Sequence, residues 1–133
     1  MNILDKDFAS ISVDNENSLI EITWHRQTTE DEFKEAYILG LETALKEKLR
    51  FLLSDNSRGI NLVLAQQHWV AAYGANIVQS LKLERYARVV PQDAFQEVVS
   101  YKMFDCVSRI DHGQMQFRVF YSRESALNWL LTD

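Results

Sequence analysis

Histidine, cysteine and acid–hydroxyl pairs are the side chains from which a small protein builds a reactive centre. This chain has few of them in useful spacing. His25, His68 and His112 are its three histidines. No two stand four residues apart, the interval that puts two imidazoles on one helix face for a metal. The single cysteine, Cys106, excludes an internal disulfide and a thiolate-rich zinc site. It falls on an apolar helical stripe with Met103 and Val107, so it reads as a small buried hydrophobe rather than a nucleophile. Neither glycine pattern of the common nucleotide loops occurs, and the only glycine near a strand-to-helix junction is Gly59. No catalytic residue, metal ligand or cofactor is assigned.

One loop has the side chains for a ligand or regulatory site: Asp55, Asn56, Ser57 and Arg58. It follows an apolar run that reads as a strand, and ligands of open α/β sheets bind beyond the carboxyl ends of strands. Asp55 and Arg58 have the reach for an ion pair. Ser57 offers a hydroxyl, and a helix beginning after the loop would favour negative charge. The same four residues also make an ordinary polar turn with an internal salt bridge. A general acid–base role for Asp55 would require a shifted pKa. An enzyme using Asp55, Ser57 and Arg58 ranks last among the readings, for want of a motif. A second candidate is an interaction surface formed by Trp69 and Tyr73, one helical turn apart. Aromatics there could line a groove or a dimer face, or simply pack.

The elements that must hold these residues follow from periodicity. Ile11–Val13 and Leu19–Trp24 alternate apolar and polar around a polar turn, which predicts a β-hairpin. Thr29 and Glu32 have the spacing of a capping box. The stripe Phe33, Ala36, Tyr37, Gly40, Leu41, Ala44, Leu45 then predicts a helix over about 29–48. Residues 50–54 read as a buried strand and about 64–81 as a helix with stripe Val70, Tyr73, Gly74, Ile77, Val78, Leu81. Residues 85–90 form a strand ended by Pro91. A third helix carries Phe95, Val98, Val99, Met103, Cys106, Val107 and Ile110, started by the pair Asp93 and Gln96. A turn at 111–114, a strand at 116–121 and a Ser122-capped helix complete the order ββαβαβαβα. That order predicts an α/β fold: a mixed, mostly parallel sheet of about five strands with four helices.

Composition fits that picture. With 133 residues, 47% hydrophobic and 25% charged, the chain is expected to be a single domain spanning 1–133. The net charge of −5 argues against a phosphate-backbone partner, so no nucleic acid is expected. Met1–Ser10 lacks the pattern of a signal peptide, and no run approaches ~18 apolar residues, so no membrane insertion and a cytoplasmic location are expected.

Four stretches carry a family resemblance: residues 51–58, 67–70, 87–91 and 117–130, the last a strand followed by a Ser-capped helix ending Ala126-Leu127-Asn128-Trp129-Leu130. On these the chain resembles the STAS/SpoIIAA-like family, in particular its small bacterial single-domain proteins of unknown function. The resemblance implies a sheet with covering helices, no known catalysis, and a role as a protein-interaction or regulatory module. Better-characterised STAS members bind a kinase and are switched by phosphorylation of a serine at a helix start. Their Asp-Ser-Ser/Thr-Gly pattern is not present; Asn56-Ser57-Arg58-Gly59 is the nearest stretch, with an arginine before the glycine. A protein partner of unknown identity, or a homodimer formed through helix faces, fits this reading. The alternative is a small-molecule or lipid-binding domain using a cleft between sheet and helices, with Tyr37, Trp69 and Tyr73 on its walls.

Overall fold

The computed structural model describes residues 1–58, 60–61, 64–77, 80–92, 95, 98–102 and 115–132. Six strands form one sheet in chain order: β1 (Asn2–Asp5), β2 (Ala9–Asp14), β3 (Leu19–Trp24), β4 (Phe51–Asp55), β5 (Arg85–Val89) and β6 (Gln116–Phe120). The pairs β1–β2 and β2–β3 are antiparallel, and β3 through β6 are parallel. Between the parallel strands run α1 (Glu30–Lys46), α2 (Leu64–Ile77) and α3, described over 98–102; α4 (Arg123–Leu131) follows β6.

The mixed, mostly parallel α/β architecture agrees with the periodicity, but the sheet has six strands rather than about five. The additional strand, β1, is a short edge without apolar–polar alternation. It is held from outside its own sequence: the Met1 ammonium donates to the Val13 carbonyl at 2.8 Å, and the Val13 N–H donates back to the Met1 carbonyl at 2.8 Å.

The capping box of α1 is formed, with Thr29 Oγ1 accepting the Glu32 N–H and the Glu32 carboxylate accepting the Thr29 N–H. The helix ends in a Schellman motif. The Leu49 N–H donates to the Ala44 carbonyl at 2.9 Å, the Lys48 N–H to the Leu45 carbonyl at 3.3 Å, and Lys48 adopts φ 54°. Ser122 caps α4 by accepting the Ser125 N–H.

Because strand side chains alternate, the two sheet faces have separate cores. Ile11, Ile20, Ile22, Trp24 and Leu52 face α1 and α2, whose Phe33, Ala36, Leu41 and Val70 pack on them. Leu19, Phe51, Leu53, Ala87 and Val89 face α4, meeting Ala126 and Leu130. β4 is therefore buried along its whole length, as expected for a strand covered on both faces. α4 is anchored at both ends. Arg123 donates to both oxygens of Glu21 on β3, at 2.6 and 2.8 Å. Arg85 Nη1 donates to the carbonyls of Trp129 and Thr132, both at 2.6 Å, neutralising the end where helix carbonyls lack partners.

The third-helix stripe needs correction. Val99 packs on the core, but Phe95 and Val98 point outward, 66% and 57% exposed. Met103, Cys106, Val107 and Ile110, the capping pair Asp93 and Gln96, and the 111–114 turn lie outside the described residues.

Candidate functional site

The loop after β4 is a built turn. The buried Asp55 accepts the Ser57 N–H on Oδ1 at 2.9 Å, which is an Asx turn. Asn56 is fully buried and acts as a strut. Its Nδ2 donates to the Ile60 carbonyl at 3.1 Å, its Oδ1 accepts the Ile60 N–H at 2.9 Å, and its own N–H donates to the Val89 carbonyl at 2.8 Å. The expected Asp55–Arg58 ion pair does not form: Arg58 reaches the other way, and its Nη1 donates to the His25 carbonyl at 3.0 Å. Arg123 of α4 is held mainly by Glu21, with only a minor attraction to Asp55. Ser57 is exposed and lies in a turn, and residues 60–61 after it are not helical, so the hydroxyl does not stand at a helix start. Gly59 lies outside the described residues, as do Cys106 and His112.

Trp69 and Tyr73 are half-buried where α2 meets α1. They stack on each other with centroids 5.2 Å apart, and both meet Tyr37 edge-on, at 5.7 and 6.1 Å. Phe33 extends the cluster inward to Trp24, and Lys34 Nζ lies 5.4 Å from the Trp69 ring centroid. These rings pin the two helices together, and their outer edges remain accessible.

The feature that joins the elements is a cleft between the sheet and the helices. Its floor is Leu52, Tyr86, Arg88 and Phe117; its walls include Tyr37 and Leu41 of α1, Val70, Gly74 and Ile77 of α2, and Ser100 of α3. Leu81, Leu83 and Met115 complete it. The free volume is about 50 Å³. At about 10–15 Å³ per water that is room for roughly four waters, or a short ligand.

Strand register sets a further polar side chain, Ser54, beside this floor. Ser54 of β4 is opposite Arg88 of β5, and Leu52 is opposite Tyr86. Trp24 Nε1 donates to Ser54 Oγ at 3.2 Å, and Ser54 and Arg88 both hydrogen-bond the Tyr86 phenol. Burial pushes the Tyr86 hydroxyl up from its ordinary pKa, opposed by the Arg88 charge and by the bonds from Arg88 and Ser54. Burial likewise holds Tyr37 well above the usual phenol range. Both phenols are therefore neutral hydrogen-bonding groups at physiological pH. Arg88 itself is only 7% exposed, and its Nε has no hydrogen-bond partner among the described residues.

Sequence reasoning passed over Ser54, Tyr86 and Arg88. A signal was present: Tyr86 and Arg88 alternate with Ala87 and Val89 in a strand expected inside a parallel sheet. An arginine there is forced inward, against its usual preference. Among the described residues no cluster of three His, Cys, Asp or Glu side chains could hold a metal, and no helix is long and apolar enough to cross a membrane. No protein-family model, curated protein or solved structure matches this chain.

Proposed function

We propose that this protein is a non-catalytic binding domain that takes a small molecule in the cleft between its sheet and helices. The observation that carries this reading is the cleft itself, an opening lined mainly by apolar side chains with a few hydroxyls and one arginine on its floor. That combination of apolar walls and sparse polar groups is typical of small-ligand sites. The limited free volume favours a short ligand over an extended lipid chain. The test is a titration with 1-butanol followed by methyl NMR. Saturable shifts at Leu52, Val70, Ile77 and Leu83 are expected, and Gly74→Leu, which grows a side chain from the cleft wall, should abolish them. Shifts scattered over the surface, or none, refute the reading.

A second reading is a regulatory module of the STAS/SpoIIAA-like type, acting through a protein partner or a second copy. Its support is the strand–helix alternation after β3 together with the outward-facing Phe95 and Val98, three residues apart. Sedimentation of a strict monomer, unchanged by Val98→Lys and accompanied by no captured partner, counts against it. Phosphorylation of Ser57 would add about −1.5 to −2 charge beside Arg58. Mass spectrometry of protein incubated with host lysate and ATP tests for it, and an unmodified Ser57 removes the phospho-switch.

A further inference from the structure

Arginine stays protonated at any pH a folded protein meets, so it cannot escape the cost of burial by losing its proton. It must find an anion, a set of acceptors, or water. Arg88 is more than nine-tenths buried, lines the cleft, and leaves its Nε without an acceptor among the described residues. Among the described residues the polar side chains that line the cleft with it or pair beside it are hydroxyls: Ser54, Tyr86, Tyr37 and Ser100. The carboxylates seen in ion pairs among the described residues are occupied elsewhere. Glu21 holds Arg123, Glu32 and Asp7 hold Arg26, Glu30 holds Lys34, and Glu84 holds Arg50. One oxygen of Asp55 accepts the Ser57 N–H, and its side chain alternates to the opposite sheet face from Ser54.

We infer that Arg88 is the anchor for a small amphipathic anion, a carboxylate with a short apolar tail, bound in the cleft with its charge on the guanidinium. This deepens the binding-domain reading and rests on it. The two halves of such a ligand match two halves of the site. The carboxylate supplies the acceptor that Nε lacks and accepts further from the neutral phenol of Tyr86. The tail lies among Leu41, Leu52, Val70, Ile77 and Leu83. A bare inorganic anion gains nothing from those walls, and a neutral alkyl compound gains nothing from the arginine. The volume of about 50 Å³ suits a tail of a few carbons.

The test compares butyrate with butyramide, which has nearly the same shape and no charge, and with inorganic phosphate. Binding is read by methyl NMR on the wild-type chain, Arg88→Met and Arg88→Lys. The expected result is that butyrate binds the wild type roughly tenfold to a hundredfold more tightly than butyramide, the range of a charge-assisted pair. Phosphate should not compete. Arg88→Met should bind the two organic probes equally, its unchanged butyramide shifts showing an intact cleft, and Arg88→Lys should keep part of the preference. Equal binding of butyrate and butyramide by the wild type overturns the anchor and leaves the cleft reading standing. If neither probe binds, both fall. Butyrate preference that survives Arg88→Met, or phosphate that binds as well as butyrate, also refutes the assignment.

Discussion

Gly40 sits in the middle of α1, where glycine costs helix stability, and the structure says why it is there. A Cβ at this position would lie 2.6 Å from Ile22 Cδ1, 3.3 Å from Ile22 Cγ1 and 3.9 Å from Ile11 Cδ1. Carbon atoms pack best at about 3.5–4.0 Å, so the first contact is short by roughly 1 Å. Ile22 is 1% exposed and Ile11 fully buried, leaving the methyl little room to move. Overpacking of this kind costs about 1–3 kcal/mol, while alanine exceeds glycine in a helix by about 1 kcal/mol. Gly40→Ala should therefore destabilise by about 1 kcal/mol, seen as a lower denaturation midpoint with an unchanged slope. Ile22→Val removes the offending Cδ1 and by itself costs about 0.5–1.5 kcal/mol. In that background Gly40→Ala should become neutral or stabilising, a coupling of about 1–2 kcal/mol. If Gly40→Ala costs the same in both backgrounds, close approach of helix and sheet is not the reason for the glycine. The stakes extend to the cleft, because α1 also carries Tyr37 and Leu41 on its wall.

Other expectations are simpler. Lys48, at φ 54° in the Schellman motif, pays the left-handed penalty of a side-chain-bearing residue; Lys48→Gly should raise stability by about 0.5–1 kcal/mol in chemical denaturation. Arg26, gripping Glu32 at 3.0 and 2.9 Å, together with the Thr29 N–H, holds the Glu32 carboxyl at about 2 against an ordinary 4.5. The folded pKa lies below the unfolded one, so this contribution is present above about pH 4.5 and drains away as pH falls toward about 2. Arg26→Met should move the Glu32 titration, followed by NMR, back up toward 4.5 and start acid unfolding at higher pH. Arg123→Ala leaves the Glu21 carboxylate, 9% exposed, without its guanidinium. A loss of about 1–2 kcal/mol is expected, between the values for exposed and buried pairs, with hydrogen exchange rising first in α4.

Much of the architecture was legible because it is local. The Thr29–Glu32 capping box, the Ser122 cap and the β2–β3 hairpin each depend on residues a few positions apart and stand where the sequence put them, as does the α1 stripe except for Leu45, which the helix end leaves exposed. The misses are non-local. β1 exists through its backbone pairing with β2 and has no pattern of its own. Phe95 and Val98 have helical spacing, but spacing does not say which face meets the sheet. Asp55 and Arg58 have the right charges and reach, yet the His25 carbonyl, 33 residues away in the chain, takes the arginine.

The candidate site divides the same way. Residue order was enough to establish an α/β chain without a recognisable catalytic motif, since side-chain periodicity of 2 and 3.6 is written directly in the apolar positions. Placing Ser54 beside Arg88, and Arg88 in a cleft walled by α1 and α2, required the register of β4 on β5 and the packing of helices over the sheet. Those depend on contacts between segments 30 or more residues apart, for example Trp24 on Ser54, and on burial. Burial is a property of the packed whole: it turns Arg88 from one cation among many into one without an anion among the described residues.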